Sequence, residues 1–328
     1  MKTGILKIGL VGLGGIGQVH LATYQHLEDC EVAAICDPSE AGRDRAKAKG
    51  IPCYEDLESL LKAETVDVVD ICVPSFLHRD CVMEALGRGL PVICEKPLAF
   101  SGAHVREMYG LAEQKGVPLF VGHVVQFQPA SQVLHAMVED CRFGKALDAV
   151  FLRLSACPQW AAGGWIFDKK KSGLLPFDLH IHDLDLIISL FGKPESCEVF
   201  SGGREGIGYR EYYRFLYRYQ GLNVCAEAAW YNADIPFTAS WRVYFEKALV
   251  IYDGNKLIAY KDEGPPEEFD IEEKIKVSTG INLPPTGIFY EELGLFLNRI
   301  RMGDKTLYRR DEISTLIDIL ENITQESP

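Results

Sequence analysis

From about residue 4 to residue 122 the chain alternates short apolar runs with stretches whose apolar positions recur at helical spacing. The runs cover residues 5–11, 32–36, 66–73, 91–94 and 118–121. Each is continuous in apolar character rather than alternating, as in parallel strands covered on both faces. Between them, residues 18–27, 41–49, 78–88 and 103–114 carry helical periodicity. Gly89-Leu90-Pro91 and Gly116-Val117-Pro118 each place a glycine helix stop just ahead of a strand. This alternation predicts an α/β unit built on a doubly wound parallel sheet.

Beyond about residue 125 the rhythm changes. Residues 149–154, 195–200, 212–219, 222–230, 239–245 and 249–252 read as strands, several with one face apolar, and Gln220-Gly221 marks a hairpin turn between two of them. Helical patterns occupy residues 177–191, 290–302 and 311–322, and the acidic stretch 261–273, with Gly264-Pro265-Pro266, reads as a surface loop. Two domains are expected, residues 1–122 and residues 123–328, the second of α+β type with a last helix able to pack back on the first.

Gly12-Leu13-Gly14-Gly15-Ile16-Gly17 follows the first strand and opens the first helix, and Asp37 closes the second strand. In that context the glycines predict a dinucleotide-binding turn. Gly12 permits the tight turn, Gly14 lets the backbone approach a pyrophosphate, and Gly17 lets helix and strand pack closely. The amides of Gly15 and Ile16, at the helix start, would face the phosphates. Asp37 would accept hydrogen bonds from ribose hydroxyls and repel a 2′-phosphate, which favours NAD over NADP without excluding the latter. Arg43 could soften that preference, or be part of a solvated helix face.

Glu95-Lys96-Pro97 stands at the carboxyl end of the strand at residues 91–94, where the ligand crevice of an open parallel sheet lies. An ammonium there can stabilise an alkoxide as it forms. In the second half, Asp178, His182 and Asp185 fall at i, i+4 and i+7, one face of an α-helix. A histidine between carboxylates suits removal of a hydroxyl proton near neutral pH. The same residues also fit a helix start with capping aspartates and a structural histidine. His180, His182, Asp183 and Asp185 are possible metal ligands, but residues two apart do not share a helical face, and no metal is expected.

Composition narrows the setting. The 328 residues carry 34 Lys plus Arg against 47 Asp plus Glu, a net charge of −13, which disfavours nucleic-acid and membrane-surface partners. No apolar run approaches the roughly 18–20 residues needed to cross a bilayer, and the first residues read as strand and turn rather than as a leader. Ten scattered cysteines, none in a Cys-x-x-Cys pair, predict free thiols and a reducing compartment, the cytoplasm.

With these motifs together, the chain resembles the Gfo/Idh/MocA oxidoreductase family over nearly its whole length. Val73-Pro74-Ser75-Phe76-Leu77-His78 is similar to the family's Pro-x-x-x-His segment, which places Pro74, Ser75 and His78 beside the cofactor, with Glu95 and Lys96. Tyr290-Glu291-Glu292-Leu293 and Phe296 match its late Glu-Leu-x-x-Phe helix. The resemblance implies a Rossmann doubly wound parallel sheet followed by an α+β domain with an open, mostly antiparallel sheet that forms a homodimer or homotetramer. It implies Lys96 and His182 as the catalytic pair, with Asp178 and Asp185 orienting substrate and imidazole. The implied activity is NAD(P)-dependent hydride transfer with a secondary alcohol of a sugar, inositol or related polyol.

Three departures bear on the substrate. His180 replaces a common glycine and can narrow the pocket or contact substrate. Gln126 stands where many members carry arginine, and Ser172-Gly173-Leu174-Leu175-Pro176 replaces a run of glycines. Trp160 and Trp165 could stack on a sugar ring, whereas the aromatic run from Tyr209 to Tyr219 fits sheet packing better. Two other readings stay open: a regulator that binds NAD(H) without turnover, and an enzyme that keeps its nucleotide through an oxidation–elimination–reduction cycle.

Overall fold

The computed structural model describes residues 4–159, 161–280 and 284–326. The chain divides into two compact units, residues 1–127 with 273–310, and residues 128–272 with 311–328.

In the first unit the continuous apolar runs form the parallel strands they predict. These are β1 (Leu6–Val11), β2 (Cys30–Cys36), β3 (Cys53–Tyr54), β4 (Val68–Ile71), β5 (Val92–Glu95) and β6 (Leu119–Gly122), in the sheet order β3-β2-β1-β4-β5-β6. Helices α1 (Gly15–Tyr24), α2 (Glu40–Ala48), α3 (Leu57–Ala63), α4 (His78–Gly87) and α5 (Gly102–Lys115) connect them. Ser39 and Asp56 cap α2 and α3 by accepting backbone N–H bonds, and Gly116, at φ 66°, ends α5 in the left-handed conformation. Strand order reverses between β1 and β4, the switch point at which the carboxyl ends of the strands leave a crevice.

The boundary differs from the one at residue 122 expected from the strand pattern. Residues 273–310 return to the first unit, and their helix (Ile288–Arg301) adds Leu293, Phe296, Leu297 and Ile300 to the core of Leu6, Ile8, Val68, Ile93 and Phe120. Phe296 stacks on Phe120 with ring centroids 4.7 Å apart. The cause is an apolar stripe at i, i+3, i+4 and i+7 whose matching surface lies on the first sheet.

The second unit contains α6 (Pro129–Glu139), β7 (Ala146–Ala156), α7 (Lys169–Ser172) and α8 (Ile181–Phe191). Strands β8 (Ser196–Gly202), β9 (Tyr212–Tyr219), β10 (Leu222–Tyr231), β11 (Thr238–Phe245), β12 (Ala248–Tyr252), β13 (Leu257–Lys261) and β14 (Glu267–Phe269) follow. The order is β14-β13-β12-β11-β7-β10-β9-β8, antiparallel apart from the β7–β10 pair. The helix returning to the first unit is α9, and α10 (Arg310–Glu326) ends the described chain in the second unit, burying Ile313, Leu316, Ile317 and Leu320 along one face.

The stretch 261–273 is not all loop. Its Glu267–Phe269 pairs with β13, held by an Arg142–Glu267 ion pair of 2.7 Å and by Arg142 over the Phe269 ring at 5.1 Å. On β9, Tyr213, Phe215 and Tyr217 are buried in a stacked ladder, which is the packing reading of that aromatic run. Among the described residues no helix is long and apolar enough to cross a membrane.

Candidate active site

The glycine turn is built so that side chains cannot enter it where the fold is tight. Gly12 sits at φ 92°, and a Cβ there would lie 2.7 Å from the Cys72 carbonyl oxygen. A Cβ on Gly17 would lie 3.0 Å from the Gly12 carbonyl carbon and closer still to its oxygen. Gly14, by contrast, has open space around its missing side chain, and Gly14 and Gly15 are exposed. Gly14 caps α1 with no side-chain hydrogen bond, and the first turn of α1 carries no acid. Its first amides and positive dipole end therefore suit an anion.

Asp37 stands just beyond β2. Its Oδ2 accepts the Leu13 N–H at 2.8 Å, and its Oδ1 accepts the Ser39 N–H at 2.9 Å and the Ser39 hydroxyl at 2.6 Å. A Cβ on Gly42 would fall onto this carboxylate, so glycine is required beside it. The Arg43 guanidinium donates to the Pro38 carbonyl at 2.5 Å, and that of Arg45 to the Leu13 carbonyl at 3.1 Å. Turn, helix start and carboxylate fit a dinucleotide-binding cradle.

Pro74 and Ser75 lie at the next strand end, where a short 3-10 segment (Ser75–Leu77) leads into α4. His78, expected beside the cofactor, opens α4. Its ring is buried, with Nδ1 2.7 Å from the Pro97 carbonyl and Nε2 2.9 Å from the Val73 carbonyl. Burial holds its pKa below the usual histidine value against the pull of those carbonyls. A neutral ring has one N–H and donates to one of these carbonyls, so the side chain packs between the segment after β4 and the Lys96–Pro97 segment, whose peptide bond is cis.

Glu95, also expected beside the cofactor, turns its carboxylate inward. Its Oε1 is 3.1 Å from His20 Nε2, and its Oε2 accepts the Lys96 N–H at 3.1 Å. Lys96 is half-buried at the end of β5. His20, Tyr24 and Asp70 complete this cluster, and no motif in the sequence singles them out. One signal does point to them: Asp70 interrupts the apolar run Val68-Val69-Asp70-Ile71, and a carboxylate inside a buried strand requires partners.

In the second unit the helix carrying the histidine is not continuous α-helix. Gly173 at φ 69° and Leu174 at φ 62° turn the chain, Pro176–His180 forms a π-helical turn, and α8 begins only at Ile181. The wider turn breaks the α-helical spacing expected between Asp178 and His182. Both are half-buried, whereas Asp185 is buried. His180 is a further correction. It is fully buried, its ring stacks 3.7 Å from Phe215, and its Nε2 lies 2.7 Å from the Tyr217 hydroxyl, so it packs the core instead of facing a substrate. Its neighbour Asp183 forms a two-point ion pair with Arg153 of β7, at 3.0 Å to Nε and 2.8 Å to the terminal nitrogen.

Trp165 is half-buried in a 3-10 segment (Ala162–Phe167), and Trp160 lies outside the described residues. Gln126 is half-buried in the first unit, in the 3-10 segment Val124–Phe127. Of the expected residues, the first unit gathers the glycine turn, Asp37, Pro74, Ser75 and Lys96 at the carboxyl ends of β1, β2, β4 and β5. The second unit places Asp178, His182 and Asp185 on one helical segment.

A parallel sheet with this turn and terminal aspartate, followed by an α+β unit, defines a two-domain protein of the Rossmann nucleotide-binding class. The chain belongs to the Gfo/Idh/MocA family: residues 6–123 match the profile described as "Oxidoreductase family, NAD-binding Rossmann fold", and residues 131–251 match the "GFO/IDH/MocA C-terminal domain". It is 33% identical over 188 residues to the rhizopine catabolism protein MocA of Rhizobium meliloti, covering 57% of this chain and 57% of the relative. It is 32% identical over 188 residues to D-apiose dehydrogenase of Paraburkholderia graminis, covering 57% of this chain and 50% of the relative. The matches thus span little more than half the length of these relatives. Among solved structures, levoglucosan dehydrogenase in complex with NADH and levoglucosan has the same fold, with a TM-score of 0.83 at 19% identity over 98% of this chain and 96% of that one. Its first unit is thus the NAD-binding Rossmann fold of that family.

Proposed function

We propose that this protein oxidises or forms a secondary alcohol on a sugar, inositol or related polyol, with NAD as the preferred nucleotide. When bound, NAD supplies the acceptor for the hydride that leaves the carbinol carbon. Lys96 donates a hydrogen bond to the substrate oxygen and stabilises it as negative charge develops. His182, as neutral imidazole, accepts the hydroxyl proton, and Asp178 and Asp185 hold substrate and ring in orientation. Several such groups can grip adjacent hydroxyls and align the reacting C–H, which suits a polyhydroxylated substrate. The observation that carries the reading is the position of Lys96 at the strand edge that also bears the glycine turn and Asp37. The reading includes self-association through the eight-stranded sheet, where Phe200 is 61% exposed and Tyr244 and Tyr260 are exposed as well.

A panel of sugars and polyols assayed with NAD and with NADP tests the reaction, and Lys96→Ala tests the lysine. We expect turnover with NAD, a loss of about 10²–10³-fold in Lys96→Ala, and retained NADH binding in that variant. Near-normal turnover in Lys96→Ala refutes the assignment. NADH binding with no turnover across the panel would mark a regulator, and nucleotide copurifying in stoichiometric amount would mark a cofactor-retaining cycle.

A further inference from the structure

Beneath the glycine turn, inside the first unit, lies a fully packed polar cluster apart from the groups assigned to hydride and proton transfer. His20 on α1 and Asp70 on β4 are both 0% exposed, and Glu95 at the end of β5 is 7% exposed. His20 Nδ1 is 2.8 Å from Asp70 Oδ2, and its Nε2 is 3.1 Å from Glu95 Oε1. The Tyr24 hydroxyl donates to the same Asp70 oxygen at 2.7 Å. Cys72 Sγ lies 3.3 Å from His20 Nδ1, and the Phe289 ring centroid is 5.9 Å from that of His20.

Ionised carboxylates only accept hydrogen bonds, so a ring held between two of them must donate from both nitrogens. That ring is an imidazolium. Without it, two carboxylates would face each other in a dry interior with no cation between them, which a protein core does not sustain. Burial opposes a charged His20, but the charge of Asp70 and its hydrogen bond to the ring carry the His20 pKa well above the usual value. Burial likewise opposes the Glu95 anion, and His20 with Lys96 outweighs it, so Glu95 titrates below the usual range. Cys72 stays a thiol, its pKa pushed up to about 12 chiefly by burial.

His20, Asp70 and Cys72 could also be read as metal ligands. Tetrahedral zinc ligands at about 2.0–2.1 Å from the metal stand about 3.3 Å from one another. The His20–Asp70 separation of 2.8 Å is that of a direct hydrogen bond.

The remaining oxygen of Glu95 gives the cluster its use, because it accepts the Lys96 N–H at 3.1 Å. We propose that His20 is a positioning residue for Lys96: held by Asp70, whose carboxylate Tyr24 holds in turn, it fixes the Glu95 carboxylate, and Glu95 fixes the backbone from which Lys96 leaves the sheet. Because His20 lies on the helix that follows the glycine turn, the cluster ties the nucleotide-binding element to the lysine within one unit. The use assigned here rests on Lys96 acting as proposed above.

The test is amide hydrogen exchange by NMR on the full chain, wild type against His20→Gln. Lys96 N–H is expected to exchange at least about tenfold faster in the variant, while the amides of Val92, Ile93 and Cys94 keep their protection. Unchanged protection at Lys96, or equal loss along all of β5, overturns the proposal. Should His20→Gln fail to fold, the ring nitrogens of His20 in wild-type protein carrying ¹⁵N-histidine decide it: both protonated from about pH 6 to pH 8 supports it, and a neutral ring overturns it. With a polyol turned over in the panel, His20→Gln should lower kcat at least about tenfold with the NAD KM within about twofold. A rise in the NAD KM with kcat unchanged overturns the proposal. Exchange is read without substrate, so Lys96→Ala retaining turnover would sink the functional reading and leave the clamp itself standing.

Discussion

The ion pair between Arg153 and Asp183 offers a measurable test of what holds the histidine-bearing helix in place. Both side chains are nearly excluded from water, at 7% and 4% exposure, and they meet through two hydrogen bonds, the strong geometry for guanidinium and carboxylate. Asp183→Asn keeps the volume but leaves the guanidinium buried without its counter-charge. Breaking a buried pair by removing one partner costs about 3–5 kcal/mol. Phe237 lies near Arg153, with its ring centroid 6.0 Å from Cζ, and an aromatic face at that range compensates little. For a unit of this size each kcal/mol moves the melting temperature by about 2–4 °C, so a fall of roughly 6–20 °C is expected. Scanning calorimetry of the full chain reads it, with the affected transition assigned to the second unit. Replacing the pair together, as Arg153→Met with Asp183→Leu, should recover most of the loss, because neither charge is then stranded. The reasoning fails if Asp183→Asn melts within about 3 °C of wild type, or if the double variant is no more stable than the single one.

Two other expectations join those for Lys96 and His20. Gly17→Ala drives a methyl group into the Gly12 carbonyl, and the turn must shift to admit it. NADH affinity measured by fluorescence titration should fall at least about tenfold, a loss of about 1.4 kcal/mol, and wild-type affinity in a folded variant contradicts the cradle. His180 gives a pH test. Burial, helped by the Arg153 charge, pushes its pKa down to about 3, against about 6.5 in an unfolded chain. A depressed folded value means that the neutral ring is favoured. Its contribution is complete above about pH 6.5 and is lost as pH falls toward 3, by about 1.4 kcal/mol per pH unit. Urea unfolding at several pH values should show a shallower acid decline for His180→Phe than for wild type, and identical slopes reject the buried-neutral account.

Where one periodic signal decides the structure, the chain is legible in advance. The segments at β1, β2, β4, β5 and β6 are apolar on both faces apart from single polar positions such as Asp70, so they suit a sheet covered on both sides. The glycine turn and Asp37 are legible for a related reason. Their conformations are fixed within a single strand–turn–helix–strand stretch, where Gly12 and Gly17 meet backbone that no side chain could share.

The features that local reading misses depend on partners distant in the chain. The edge strand Glu267–Phe269 has no apolar run of its own and forms because β13 and Arg142 receive it. The π-helical turn ahead of α8 follows from left-handed Gly173 and Leu174, and periodicity passes over it. His180 reads as a pocket residue because it stands where the family commonly has glycine, and only the ring ladder of β9 makes it a core residue. The cluster of His20, Asp70 and Glu95 joins positions that no local window compares.

The return of α9 to the first sheet has a consequence for biosynthesis. Leu6, Ile8, Ile93 and Phe120 leave the ribosome long before Leu293, Phe296 and Ile300 exist to cover them. At about 5–20 residues per second, that greasy surface stays bare for roughly 10–30 s while the intervening unit is made. The nascent amino-terminal half is thus a natural client for a holding chaperone, and a chain stopped before α9 would be prone to aggregate.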